Sequence, residues 1–227
     1  MTDICSSFDT LKTSPTMSGT APTAQKCYLT TSLPPAIAGI PVLALGVTDS
    51  TNAEAWRRVD AGELPPSGLA IVADSQTAGR GQHGHAWHSP PGLGLYLTFA
   101  WRPSPPLPLA DSATLPPRAA QLLLDALDSL GCRPKTATIK PPNDILVDGR
   151  KLCGILIETR LAPAAPNDVE TIVAGFGLNL RHALSDFPLS LRPLATSISL
   201  LGLPPPPIPA LLEALLPRLR NDPQAVV

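Results

Sequence analysis

Residues 76–101 read Gln-Thr-Ala-Gly-Arg-Gly-Gln-His-Gly-His-Ala-Trp-His-Ser-Pro-Pro-Gly-Leu-Gly-Leu-Tyr-Leu-Thr-Phe-Ala-Trp, and how this stretch folds decides the architecture. Gly79, Gly81 and Gly84 have the spacing of the dinucleotide fingerprint. That fingerprint needs a helix opening at its last glycine, because the helix N-terminus holds the pyrophosphate. Here Trp87-His88-Ser89-Pro90-Pro91-Gly92 cannot form a first helical turn. No acidic residue stands about 20 positions on, where a ribose partner belongs. Leu93, Leu95, Leu97, Phe99 and Trp101 then alternate with Gly94, Tyr96, Thr98 and Ala100, the period of a half-buried strand. The glycines therefore mark a loop between strands. They allow positive φ and close approach to a ligand. Arg80 within the turn can set a fixed charge and a fork of donors against a phosphate or carboxylate. The plain alternative for this segment alone is a surface loop.

Working outward, Val42–Val47 reads as a strand ending at Asp49-Ser50-Thr51-Asn52, and Leu69–Ala73 is an apolar strand feeding the glycine loop. Thr51 with Glu54 three residues on is a capping box for a helix over about Asn52 to Val59. Ala120, Leu123, Leu124, Leu127 and Leu130 share one face of a helix over Pro117–Leu130, with Gly131 as its C-terminal stop. Thr138–Lys140 is a short strand. Ile145–Val147 and Lys151–Glu158 flank Asp148-Gly149, a two-residue hairpin signal. Val169–Gly175 is a further strand. Ile208, Leu211, Leu212, Leu215 and Leu216 mark a last amphipathic helix, which Pro217 is expected to break. Strands and helices mix without regular βαβ alternation, which predicts an α+β fold with a mixed, largely antiparallel sheet flanked by helices.

The 227 residues suffice for one good-sized core, and the net charge of −1 offers no basic field for nucleic acid. Cys5, Cys27, Cys132 and Cys153 show neither a paired motif nor a disulfide framework, which suits a reduced, cytoplasmic setting. Residues 1–38 are expected to be a loosely packed or disordered tail, rich in Ser, Thr and Pro, ahead of one catalytic domain over 39–227. They lack the apolar core of a signal peptide. No apolar run approaches the ~18 residues of a membrane span. The 29 prolines cluster at loops such as Pro103–Pro108 and Pro204–Pro207.

Three segments concentrate polar residues at strand ends. They are Ser50-Thr51-Asn52, then Gln76–Trp87, then Lys140-Pro141-Pro142-Asn143-Asp144 with its hairpin partner Arg150-Lys151-Leu152-Cys153-Gly154. Singly, they read as a helix cap, a loop, a turn and a solvated edge charge. In this order, joined by Gly92-Leu93-Gly94-Leu95-Tyr96-Leu97, by Gly154-Ile155-Leu156-Ile157-Glu158 and by Gly175-Phe176-Gly177-Leu178-Asn179, they resemble the biotin protein ligases. That family is related to class II aminoacyl-tRNA synthetases, and the match runs from about Leu43 to Leu200.

The resemblance implies ATP-dependent activation of biotin as biotinyl-5′-AMP, with Mg2+, and transfer to a lysine of a biotin carboxyl carrier protein. It implies catalytic roles for Lys151, Arg80 and Lys140. Biotin would be held by Ser50, Thr51, Asn52, Gln76, Arg80, Gly81, Gln82, Tyr96, Lys151, Gly154 and Gly175. The nucleotide would face Gly79, Gly84, Trp87, Lys140, Asn143, Asp144 and Asn179, with Asp144 toward the metal. Gln82 stands where the family often carries Arg, with His83 and His85 at the following basic positions, so less fixed charge would hold the acyl-adenylate. Pro141 replaces a family Trp. A catalytic core without the DNA-binding helix-turn-helix or the C-terminal β-barrel is expected, as monomer or homodimer, with no DNA or membrane partner. The alternatives are a lipoate or octanoate protein ligase, or a protein that binds biotin without transferring it. His83, His85 and His88 could also be read as a metal cluster.

Overall fold

Strand-forming segments with apolar residues on both faces dictate a sheet covered on both sides. The computed structural model describes residues 33–222. Its strands are β1 (Ala36–Ile37), β2 (Ile40–Thr48), β3 (Leu69–Gln76), β4 (Gly94–Trp101), β5 (Leu107–Pro108), β6 (Ala137–Lys140), β7 (Asp144–Val147), β8 (Arg150–Ala162) and β9 (Ala165–Asn179). The sheet order is β1-β2-β3-β4-β9-β8-β7-β6, with β5 added on β9. The helices are α1 (Thr51–Asp60), α2 (Leu115–Ser129) and α3 (Ile208–Asn221). Only β2 and β3 pair in parallel among the named strands, joined by α1, and the other pairs are antiparallel.

Most of the core lies where α2 and α3 cover one sheet face. Leu123, Leu124, Leu127, Leu211, Leu212 and Leu215 meet Val72, Leu97, Phe99, Ile172 and Phe176 there. A smaller cluster packs Ala55 and Val59 of α1 against Ile71, Ala100 and Val173 on the opposite face. The expectation of a half-buried β4 is therefore corrected. All eight of its residues are buried, because α1 and the segments around it cover the face that alternation assigned to solvent.

Three further expectations change. The capping box at the start of α1 does not form, and Ser50 is the N-cap without a side-chain cap bond. The Thr51 hydroxyl is drawn to Gln76 Oε1, 25 residues away, while Glu54 pairs with Arg57 and Arg58. Pro217 does not end α3, which continues to Asn221. The carbonyl it leaves unmatched belongs to Glu213, on the exposed face, and the buried stripe resumes at Leu219. Finally, the expected tail boundary at residue 38 is crossed, since Ala36–Ile37 pairs with β2 and Ile37 is buried. Residues 1–32 of the expected tail, with Cys5 and Cys27, lie outside the described residues. No described helix is long and apolar enough to cross a membrane.

His182, just past β9, is fully buried with its ring stacked on Phe187 at 4.7 Å, and neither ring nitrogen has a hydrogen-bond partner. Burial, then the neighbouring His88, push its pKa down from 6.5 to about 4, against the pull of Asp186. The unfolded chain then binds the extra proton between pH 6.5 and 4. The neutral ring's contribution is complete above pH 6.5 and is lost as pH falls through 4. The loss is on the order of 3 kcal/mol. Urea midpoints at pH 7.5 and 4.5 should therefore converge in His182→Phe relative to wild type. Equal pH sensitivity in both would remove His182 as the cause.

Candidate active site

The glycine loop folds as a small hairpin. Arg80 and Ala86 form an isolated antiparallel bridge, Gly81 N donates to His85 O at 2.7 Å, and Trp87 N donates to Gly79 O at 2.8 Å. At its tip Gln82–Gly84 makes a single 3-10 turn, with His83 at φ 54° and Gly84 at φ 77°. No helix opens there, in keeping with the rejection of the dinucleotide fingerprint.

Beneath the loop lies a sheet floor made of glycines. Gly177 pairs with Gly154, and Gly175 pairs with Thr98 and Leu156, so these residues share one face. A Cβ at Gly175 would overlap Asn52 Oδ1, and one at Gly177 would overlap the Trp87 indole. A Cβ at Gly154 would come within 2.9 Å of Trp87 Cζ3. The absent side chains leave room for Asn52 and Trp87 to lie flat on the strands.

A bulge aims the cation. Along β7 and β8, Asp144 pairs with Gly154 and Ile145 with Cys153, but Leu146 pairs with Lys151, leaving Leu152 as the extra residue. Such an insertion reverses the facing of the residues before it. Leu152 and Cys153 both point into the core, where burial raises the Cys153 thiol pKa, and Lys151 joins Asp144 and Gly154 on the site face. Its Nζ lies 2.6 Å from Asp144 Oδ1 and 5.4 Å from the centroid of the Trp87 ring. Lys151 N donates to Leu194 O, and Thr196 N donates to Lys151 O, which fixes the strand at this point.

These elements enclose a cavity of about 410 Å3. Of the residues expected at the site, Ser50, Thr51, Asn52, Gln76, Arg80, Gly81, Gln82, Trp87, Lys140, Asn143, Asp144, Lys151, Gly154 and Gly175 all line it. Three cations from separate segments thus meet on one wall system with neutral polar groups from α1 and β3.

Four expected residues are placed elsewhere. Tyr96 is wholly buried and donates its hydroxyl to Pro90 O at 2.9 Å, and burial pushes its pKa up. Asn179 donates to Thr196 O at 2.9 Å and Lys151 O at 3.4 Å, pegging the strand behind the cavity. Gly79 gives the close approach that seats Trp87 O and Ser89 Oγ. Gly84 lies on a second, outer cavity of about 670 Å3, lined by Ala78–Ala86 and Leu156, Ile157 and Glu158. The glycine loop is the partition between the two cavities.

Several lining groups are already engaged. Gln76 Oε1 accepts from Thr51 N at 2.8 Å, and Gln76 Nε2 donates to Ser89 Oγ at 2.9 Å. Asn52 Nδ2 donates to Glu158 Oε2 at 2.8 Å and to Leu156 O at 3.3 Å, while Asn52 Oδ1 accepts from Thr98 Oγ1 at 2.6 Å. Arg80 Nη2 lies 3.0 Å from the same Glu158 oxygen, which also accepts from Trp56 Nε1 at 3.3 Å. Glu158, Thr98 and Ser89 were not assigned roles from sequence. Their signal was weak, because their partners lie between 13 and 106 residues away. Two further neutral groups of the lining bear on ligand binding. Trp87 Nε1 is buried without a partner, and the Ser50 hydroxyl makes no side-chain cap bond. The histidine-cluster reading finds no support in geometry, since no group of three potential metal-binding side chains exists among the described residues.

The model of the biotin/lipoate A/B protein ligase family matches residues 45–179. A bifunctional ligase/repressor of Bacillus subtilis is 38% identical over 135 residues, covering 59% of this chain and 39% of that protein. A biotin–[acetyl-CoA-carboxylase] ligase of Mycobacterium tuberculosis is 35% identical over 160 residues, covering 70% of this chain and 55% of that one. The chain thus spans between about two fifths and just over half of these relatives. The structure of biotin protein ligase from Leishmania major in complex with biotinyl-5-AMP superposes with a TM-score of 0.62 at 26% identity, covering 79% of this chain and 73% of that one.

Proposed function

Because this chain belongs to the biotin/lipoate A/B protein ligase family, we propose that it condenses biotin with ATP to biotinyl-5′-AMP and passes the biotinyl group to a lysine of a biotin carboxyl carrier domain. The observation carrying this reading is the meeting of Arg80, Lys140 and Lys151 on one cavity whose wall also holds Ser50, Thr51, Asn52 and Gln76. A carboxylate attacking an α-phosphate brings anions together, so positioned cations provide most of the stabilisation. Lys151 would exchange Asp144 for the biotin carboxylate and α-phosphate. Lys140 would add a second phosphate contact, and Arg80 would close from the loop.

The donor set suits a Mg2+ ion that arrives with the nucleotide. Asp144 supplies one carboxylate beside the phosphate cations, and such an ion keeps its remaining ligands as phosphate oxygens and water. When bound, it would neutralise phosphate charge. The partnerless Trp87 N–H is a donor that a bound substrate could satisfy.

Glu158→Ala should separate positioning from stability. The ion pair with Arg80 is partly exposed and contributes little to stability by itself. Its loss also costs Asn52 and Trp56 a charged acceptor, in all about 1–2 kcal/mol. With Arg80 and Asn52 released together, the KM for biotin is expected to rise about tenfold. An unchanged KM would show that Glu158 does not set the site.

The deciding experiment incubates the protein with ATP, Mg2+, biotin and a carrier domain, then weighs the carrier. A mass gain equal to one biotinyl group is expected. A gain with lipoate but none with biotin would overturn the reading in favour of lipoate ligation.

A further inference from the structure

Building on the ligase reading, we propose that the loop imidazoles His83 and His85 serve as the general base that takes a proton from the carrier lysine before it attacks the acyl-adenylate. His83 and His85 line both the inner and the outer cavity. Lys140 and Lys151 line only the inner one, so phosphates belong there, and the outer cavity is left for the amine. An amine entering from that side meets the loop carrying the two imidazoles.

The other candidate bases are already committed. The charged or titratable groups lining the two cavities are Arg80, Lys140, Asp144, Lys151 and Glu158, besides the two histidines. Asp144 is 2.6 Å from the Lys151 ammonium, and Glu158 is 3.0 Å from the Arg80 guanidinium. Proton transfer to either carboxylate would oppose a neighbouring cation. Both histidine side chains are exposed, and neither joins an ion pair or side-chain hydrogen bond among the described residues. Imidazole is the side chain whose ordinary titration falls near neutrality. His83 is also held at φ 54°, a conformation uncommon for a residue with a Cβ.

The ammonium of the carrier lysine gives one proton to imidazole, and the freed nitrogen lone pair forms a bond to the acyl carbon. The bond from that carbon to the phosphate oxygen breaks, and its electron pair leaves with AMP. AMP takes up the second proton released from nitrogen, giving the amide, AMP and an imidazolium.

The test uses the full chain. Biotin-dependent ATP–pyrophosphate exchange is measured first, and then single-turnover transfer from preformed biotinyl-5′-AMP to a carrier domain between pH 6.5 and 9. The variant is H83N/H85Q, in which Asn tolerates the left-handed position. Wild-type transfer is expected to depend on pH less steeply than that of the variant. The variant should be roughly 100-fold slower at pH 7. Its rate should climb about tenfold per pH unit, because only free amine reacts, and added imidazole should restore part of it. Wild-type exchange together with identical wild-type and variant transfer profiles would overturn the base while leaving the ligase reading standing. Absence of exchange in wild type would overturn both.

Discussion

Lys151→Ala is expected to lower biotin-dependent ATP–pyrophosphate exchange by about 10³-fold while the thermal midpoint stays within a few degrees of wild type. Removing a single preorganised donor from a developing oxyanion costs two to three orders of magnitude in rate, and Lys151 would serve two anions at once. Little stability should be lost. The Lys151 side chain is about one third exposed, and its pairing with Asp144 offsets a desolvation cost of its own. Alanine retains the backbone bonds to Leu194 and Thr196 that hold the strand. Exchange within tenfold of wild type would move the adenylation chemistry away from this residue. Loss of the folded circular-dichroism spectrum would point instead to an architectural role.

Gly175→Ala is the second large effect. The new methyl would occupy the position of Asn52 Oδ1, in a fully buried place beside Thr98. Asn52 would have to leave, breaking its bonds to Thr98, Leu156 and Glu158 and freeing Arg80. Overpacking of this kind costs about 1–3 kcal/mol, and the lost buried hydrogen bonds add about 1–3 more. Biotin affinity should fall about 100-fold, since the loop cation and the α1 end of the cavity lose a common anchor. Titration calorimetry on the purified variant, with wild type alongside, measures this. Affinity within a factor of three would show that Asn52 and Arg80 are held by something other than the glycine floor.

Much of this arrangement could be read from residue order, for local reasons. The Asp148-Gly149 turn needs positive φ at both positions and has it, at 49° and 77°. The amphipathic stripe of α2 and its Gly131 terminus are equally local. What escaped was set by distant partners. The Thr51 hydroxyl had a cap position nearby and went to Gln76 instead. Pro217 was tolerated because apolar packing on both sides of it outweighs one missing bond. The buried second face of β4 depends on α1 lying across it. Gly175 and Gly177 stand in the expected motif, with Gly175 expected at the biotin, but the need of Asn52 and Trp87 for their missing Cβ atoms is set by residues far away in sequence. Asn179 and Tyr96 stand in the expected motifs, yet their polar atoms are occupied by Thr196, Lys151 and Pro90 carbonyls.

The supernumerary Leu152 makes the location of the ammonium a matter of counting. Strand positions have parity, and one added residue turns odd into even. Any apolar side chain of similar bulk at 152 preserves the count, so the position can drift in identity at little cost. Losing the bulge with Leu152 retained would turn the amine toward the hydrocarbon interior, with composition and charge unaltered. Such a site tolerates changes of spelling and fails on a shift of frame.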